Sequence, residues 1–450
     1  MYDICRMNQI LVLGAGKSAT ALINYLLANA KEENWKLILA DANLHLALEK
    51  INNSPFGSAV SFDITDDSKR RYHISNSDIV ISMLPPALHI KVAKDCLAFS
   101  KHLLTASYVD DEMKSMEAEI DRQQVLFLCE MGLDPGIDHM SAMKLIDYIN
   151  SKGGKIISFK SHCGGLVAPE SDDNPWHYEI SWNPRNIVLA GKAGAVYKKD
   201  GDIINQSYAS LFNKNENVSI PGLGKLAYYP NRDSLSYIPL YGLESASTFL
   251  RTTLRHPDFC IAWNYVIKAC LTDEGVNNYL TAKECSFREW LEKRIASATG
   301  AINFDDFLAK NVNMDEKAKV KAMFGWLGLF DETKIPPHAK SSADVLQFAM
   351  ESKLSLLPHD KDMIVMLHEF EYEVDGKRAA IRSSLVVKGE NSVNTAMAKT
   401  VGLPLGIAAK LILNGTIRSR GLLIPVAKEI YEPVLNELGK FDIKFNEEIS

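Results

Sequence analysis

Residues 9–13, Gln-Ile-Leu-Val-Leu, form a short apolar run that passes directly into Gly14-Ala15-Gly16-Lys17-Ser18-Ala19. This junction constrains the fold more than any other part of the chain. A brief, uninterrupted apolar run is what a parallel strand buried on both faces needs. Residues 20–30 then place Leu22, Leu26 and Leu27 toward one side of a helix. Strand, glycine turn and helix in that order give the G-x-G-x-x-A pattern a physical basis. Gly14 permits the tight turn, Gly16 lets a pyrophosphate approach the backbone, and Ala19 keeps the helix close to the sheet. The helix N-terminus offers unpaired N–H groups and the positive end of its dipole to phosphate. Gly14, Ala15, Gly16, Lys17 and Ser18 are therefore expected to hold a dinucleotide. Lys17 is not a P-loop lysine, because the upstream glycine of G-x-x-x-x-G-K-S is missing.

A second apolar strand, Leu37-Ile38-Leu39-Ala40, ends in Asp41, somewhat beyond the usual spacing of about 20 residues from the glycines. An acid there can accept hydrogen bonds from ribose hydroxyls and would repel a 2′-phosphate, and Ala42 supplies no basic partner for one. The expectation is NAD in preference to NADP. Further apolar runs follow at 59–62, 78–84, 102–106 and 125–128, with helical segments between them. Strands alternating with helices argue for a doubly wound parallel sheet, the Rossmann arrangement. Ligands of such sheets bind outside the strand C-termini, which nominates Asp63, Leu84, Ser107, Tyr108 and the segment from Glu130 onward.

At 450 residues the chain is long enough for about two to four domains. A formal net charge of −6 and the lack of a Lys/Arg-rich run argue against nucleic acid as a partner. The seven cysteines include no Cys-x-x-Cys pair, which argues against a disulfide framework or a zinc site. His256, His359 and His368 lack ligand spacing, so no metal is expected. No leader-like segment and no apolar stretch approaching the roughly 18 residues of a membrane span is evident. A cytoplasmic location is expected.

After Cys129 the texture changes. The turn-rich run 132–139 enters a helix near Asp138, read as its N-cap. Residues 156–162 read as a strand that Gly164-Gly165 breaks. Residues 178–182 fit helix or strand, and Gly201 marks a hairpin. Helical periodicity dominates from 259 to 350, with clear segments at 287–295 and 315–326. Two strands, 363–372 and 379–387, flank the hairpin signal Asp375-Gly376. Three tail helices are expected at 393–401, 405–413 and 428–438. The implied fold class is α/β. Residues 1–132, completed by 392–450, form a Rossmann-like domain; 133–258 with 352–391 form a mixed α/β substrate domain; 259–351 form a mostly helical domain.

Several segments, in order along nearly the whole chain, resemble the glutamate-forming saccharopine dehydrogenase (saccharopine reductase) family. They include Thr105-Ala106-Ser107-Tyr108, Gly132-Leu133-Asp134-Pro135-Gly136-Ile137-Asp138-His139, Ser161-His162-Cys163-Gly164-Gly165, Ile180-Ser181-Trp182-Asn183-Pro184-Arg185, Tyr229-Pro230-Asn231-Arg232-Asp233-Ser234 and Arg251-Thr252-Thr253-Leu254-Arg255. The resemblance implies reversible NAD(P)-linked conversion of saccharopine to glutamate and 2-aminoadipate 6-semialdehyde, in lysine metabolism. It implies that Ser107, Tyr108, Asp134, Arg232, Thr253 and Arg255 contact saccharopine. It places Asp63, Ile64, Thr105, Ala106, Leu133, Ser181 and Trp182 around the cofactor, and Asp41-Ala42, where NADP users carry a basic residue, again points to NAD. His162 stands where a tyrosine is common.

That reaction removes hydride from a carbon bearing a secondary amine, adds water to the imine and moves protons as the adduct collapses. The nicotinamide takes the hydride, and the protein supplies position and electrostatics. A substrate with three carboxylates calls for arginine clamps, here Arg232 and Arg255. Asp134 is the carboxylate suited to the substrate amine. Tyr108 and Cys163 are candidate proton-transfer groups, although a cysteine such as Cys163 is more often a small packed residue than a catalyst. The alternatives are a related imine-reducing enzyme, such as a carboxynorspermidine dehydrogenase, and an NAD-binding regulator without turnover. The expected partner is a small molecule with several carboxylates, and a homodimer suits the chain length.

Overall fold

The computed structural model describes residues 7–213, 216–277, 279–280 and 284–450. The chain divides into two compact units, one of residues 1–155 and 385–446, the other of residues 156–384 and 447–450.

The first unit is built on a seven-stranded sheet. Its strands are β1 (Asn8–Leu13), β2 (Trp35–Asp41), β3 (Gly57–Ser61), β4 (Ile79–Ser82), β5 (His102–Thr105), β6 (Leu126–Leu128) and the tail strand Gly421–Leu423. The order runs from the tail strand through β6, β5, β4, β1 and β2 to β3, and every pairing is parallel. The apolar runs read from sequence are these central strands. Ile10 through Leu13 and Ile79 through Ile81 are at most 1% exposed, as strands covered on both faces must be. The tail strand was not anticipated; three residues leave no periodicity to read.

The tail also supplies the helix Ala396–Leu413. Two helices split near Pro404 were expected, and one continuous helix forms with the proline inside it. By length and composition this helix could cross a bilayer, which corrects the expectation that no such stretch exists. It is instead 78% buried within the unit. Its glycines explain the fit: a Cβ on Gly402 would lie 2.8 Å from the Leu22 amide nitrogen, and one on Gly406 would lie 2.7 Å from the Tyr25 ring. The helix therefore packs its backbone against Thr20–Asn29, the helix that follows the glycine turn.

The second unit holds a ten-stranded mixed sheet. Its central members are β7 (Lys155–Val167) and the strands Gly224–Pro230 and Thr248–Arg255, with the long hairpin Asp362–Val374 and Lys377–Lys388 continuing it. The expected break at Gly164-Gly165 does not occur, and β7 runs through both. A Cβ at Gly164 would lie 2.6 Å from the Leu254 carbonyl oxygen, so glycine is there for close strand packing. Residues 178–182 form neither helix nor strand but a loop joined to Ser355 by one bridge at Ile180. The hairpin at Asp375-Gly376 forms as expected. The helices Phe287–Thr299 and Lys317–Trp326 belong to this unit, and its apolar core is continuous from Leu166 and Trp176 through Trp263 and Trp290 to Leu367.

Candidate active site

In the first unit the glycine turn has the geometry its sequence requires. Gly14 has φ 103°, and a Cβ there would lie 3.1 Å from the Met83 carbonyl oxygen. Gly16 faces open space, with nothing within 4 Å of where its Cβ would be. The turn Lys17–Ala19 and the helix after it begin without a side-chain cap. Uncapped amides beside an exposed glycine, with Lys17 also exposed and Ser18 half-buried, are a fitting cradle for a pyrophosphate.

Asp41 does something other than expected. Its Oδ2 accepts a 2.7 Å hydrogen bond from the Ala15 N–H, and its Oδ1 accepts one of 2.8 Å from the Asn43 N–H. The carboxylate braces the glycine turn, and two amides already face its charge. Asp63, at the end of β3, is similarly engaged: its Oδ1 accepts from the Thr65 amide at 2.8 Å and hydroxyl at 2.7 Å, which hold the carboxyl below its usual range. Ile64 donates no side-chain polarity, but its carbonyl accepts from Arg70 at 2.7 Å. Leu84 is half-buried just before Pro85.

The segments 105–108 and 130–139 are laced together. The Met131 N–H donates to the Thr105 carbonyl at 3.0 Å, and the Glu130 N–H to the Ser107 carbonyl at 3.1 Å. A Cβ on Gly132 would lie 2.9 Å from that of Ala106. Leu133 is buried, and the Asp134–Pro135 peptide bond is cis. This lacing brings the Tyr108 hydroxyl to 3.5 Å from Asp134 Oδ1. Asp138 is not the helix cap. The helix starts at Ile137 with Gly136 as its cap residue, and Asp138 Oδ1 reaches back to accept from the Gly136 N–H at 2.6 Å. Glu130, buried and with φ 56°, accepts from the Val109 N–H at 3.1 Å and pairs with the fully buried His139 at 2.9 Å.

Sequence reasoning missed His89. From the helix Pro86–Ala98 its Nδ1 meets the Ser82 hydroxyl and its Nε2 the Ser107 hydroxyl, each at 2.8 Å. Burial pushes its pKa down to about 4, so the ring is neutral at physiological pH.

In the second unit, strand register places Cys163 of β7 beside Thr253 of the strand Thr248–Arg255, and Thr253 beside Tyr229 of the strand Gly224–Pro230. Paired residues project from the same face of a sheet, and Arg255, two positions on from Thr253, shares it. Cys163 is buried without a disulfide, and the hydroxyls of Tyr229 and Thr253 are hydrogen-bonded. Arg255 is 4% exposed. Its guanidinium lies over the rings of Tyr178, 5.1 Å from the centroid, and Phe259, at 5.7 Å. Its Nη1 donates to the Leu254 carbonyl at 2.8 Å, and its buried Nε has no partner. Among the described residues no carboxylate pairs with it. A buried guanidinium met only by aromatic faces and backbone oxygens keeps its charge uncompensated, which is costly.

Trp182 donates to the Tyr178 hydroxyl at 3.2 Å, and Ser181 is buried beside it in sequence. Arg232 is exposed on the short strand Arg232–Asp233, with φ 51°. His162 points to the sheet face opposite Cys163. It is fully buried, 2.7 Å from the Thr252 hydroxyl and 3.2 Å from Glu369.

A Rossmann unit with an open, uncapped glycine turn is the arrangement of a dinucleotide-binding protein. The comparisons make the class specific. The family model "Saccharopine dehydrogenase NADP binding domain" matches residues 10–128, and "Saccharopine dehydrogenase C-terminal domain" matches residues 132–443. The chain belongs to the saccharopine dehydrogenase family. It is 34% identical to saccharopine dehydrogenase (NADP+, L-glutamate-forming) of Saccharomyces cerevisiae, over 97% of this chain and 98% of that protein. It is 33% identical to alpha-aminoadipic semialdehyde synthase of Arabidopsis thaliana, covering 99% of this chain but only 45% of that longer protein. The solved apo structure of the Saccharomyces cerevisiae L-Glu-forming enzyme superposes with a TM-score of 0.88 at 33% identity, over 98% of this chain and 100% of that one.

These findings overturn the preference for NAD. The matching family model is an NADP-binding domain, and the relatives from Saccharomyces cerevisiae, Schizosaccharomyces pombe and Pyricularia oryzae are all named for NADP+. The physical reason lies in Asp41. The repulsion argument took it as a free carboxylate at the ribose, whereas its oxygens are turned to the chain's own amides.

Proposed function

We propose that this chain catalyses the reversible, NADP-linked conversion of saccharopine to L-glutamate and 2-aminoadipate 6-semialdehyde. The observation that carries the reading is Arg255, a buried guanidinium with an unpartnered Nε and, among the described residues, no carboxylate beside it. A lone buried cation is costly unless a ligand neutralises it, and saccharopine brings three carboxylates.

The amides of Gly14–Ser18 would hold the pyrophosphate, with Thr105, Ala106, Leu133, Asp63, Ile64, Leu84, Ser181 and Trp182 as further cofactor contacts. When bound, the nicotinamide supplies the hydride acceptor. Arg255 and Arg232 orient substrate carboxylates, with Thr253 and Ser107 donating hydroxyl hydrogen bonds. Asp134 faces the bridging amine and holds its proton, and Tyr108, hydrogen-bonded to Asp134, passes protons as water adds to the imine. Cys163, at the same level of the sheet as Thr253, is the second proton-transfer candidate. We further propose a homodimer, on chain length, and a reducing compartment such as the cytoplasm, consistent with six described cysteines that are all free thiols.

The reverse reaction tests the assignment. Glutamate, the semialdehyde and NADPH should yield saccharopine. Reduction of an imine from a diamine in place of glutamate would instead indicate a carboxynorspermidine-type enzyme.

A further inference from the structure

A second group of side chains in the substrate unit has no part in that reaction. His177 precedes Tyr178, and His256 caps the helix Pro257–Lys268, which contains Asp258. One ring nitrogen of each histidine and one oxygen of Asp258 lie within 4.8 Å of one another, all three residues being partly buried. The two imidazoles are 3.7 Å apart between centroids.

The hydrogen bonds around the group favour a ligand-ready state. His177 Nδ1 meets Asp172 Oδ2 at 2.7 Å. A neutral imidazole that gives its Nδ1–H to a carboxylate keeps its lone pair on Nε2, the arrangement that orients and strengthens metal-binding histidines. That Nε2 is 3.8 Å from Asp258 Oδ2. Lys319 takes the other Asp258 oxygen, which leaves Oδ2 as the available donor. His256 accepts a long 3.2 Å bond from the Asp258 N–H through Nδ1, and a cation could take that lone pair instead.

We propose that His177, His256 and Asp258 form a binding site for a divalent transition-metal cation of the zinc type, with Asp172 orienting His177. Two nitrogens and one oxygen, with a fourth position for water, suit zinc rather than the all-oxygen preference of magnesium or calcium. Sequence spacing offers no hint of this group, because the two histidines are far apart in the chain, and the expectation of no metal rested on spacing alone. The site has a structural consequence. His256 follows Arg255, and His177 precedes Tyr178, whose ring lies under the Arg255 guanidinium. Ligation ties these two segments together and stiffens the seat of Arg255. The site's existence does not depend on what Arg255 binds.

The test uses the full chain stripped of metal and titrated with Co2+ and Zn2+. One equivalent of Co2+ should bind with visible bands of a low-coordinate site, Zn2+ should displace it, and the thermal midpoint should rise. His177→Gly is the informative variant, since φ 48° at this position suits glycine. It should abolish the Co2+ bands while the metal-free chain keeps or gains stability. Asp172→Asn should weaken zinc by about tenfold to a hundredfold. The proposal is overturned if millimolar zinc leaves the thermal midpoint unmoved and no Co2+ bands form, or if His177→Gly binds as tightly as the unmodified chain.

Discussion

His89 Nε2 and the Ser107 hydroxyl are 2.8 Å apart, with the other ring nitrogen on Ser82 at the same distance. The ring fixes where the Ser107 hydroxyl points, so on the substrate role proposed for Ser107 it acts as a positioning residue. His89→Ala should lower kcat/KM for saccharopine by about tenfold to a hundredfold, as misplacement of a substrate contact does. NADP affinity should hold, and the pH profile above about pH 5 should keep its shape, because the native ring is already neutral there. An unchanged kcat/KM would leave Ser107 without a substrate role.

The same histidine has a thermodynamic signature. Its pKa is about 4 in the folded chain against an ordinary 6.5, so the unfolded chain takes up the proton first on acidification. The stability it contributes is present above pH 6.5 and is lost as pH falls toward 4. His102, held near 4 mainly by burial and then by Arg420, acts in the same direction. A thermal-midpoint series should fall through this window, less steeply for His89→Gln.

Glu179 predicts the opposite slope. Burial, followed by the charge of Asp360, pushes its pKa from 4.5 to about 8, and its Oε2 has no partner. A raised carboxyl contributes stability fully below pH 4.5 and loses it as pH rises through 8. Glu179→Gln should therefore be more stable than the unmodified chain at pH 8 and no more stable at pH 4. An equal midpoint at pH 8 would mean that Glu179 is charged at no penalty.

Much of the first unit is legible in sequence because its central strands are covered on both faces and so read as plain apolar runs. The glycine turn is equally clear, since Gly14 and Gly16 each have a steric reason to be glycine. Glycine and proline were less reliable as stop signals elsewhere. Gly164 sits inside a strand because Leu254 crowds it, and Pro404 sits inside a buried helix. Asp41 was legible as a position but not as a contact. Whether a carboxylate faces a ribose or its own backbone depends on a rotamer that no spacing encodes. His89 was invisible for a related reason: it looks like one more helical residue until Ser82 and Ser107 are brought to its two nitrogens.

Asp41 now carries a different prediction. Because it braces the Ala15 amide, Asp41→Ala should weaken NADP and NAD together, by about tenfold or more. Isothermal titration with both cofactors would show it. A loss confined to NAD would return Asp41 to the ribose.

The central claim is that the NADP-binding fold and the Arg255 seat act on saccharopine, and one assay reaches it directly. With saccharopine and NADP+, absorbance of NADPH should rise in proportion to glutamate released. Arg255→Ala should raise the KM for saccharopine by a hundredfold or more, an effect of about 3 kcal/mol, while NADP+ affinity stays within a factor of about two. No NADPH formation from a folded chain that binds NADP+ tightly, or an Arg255→Ala variant with an unmoved KM, would contradict the account.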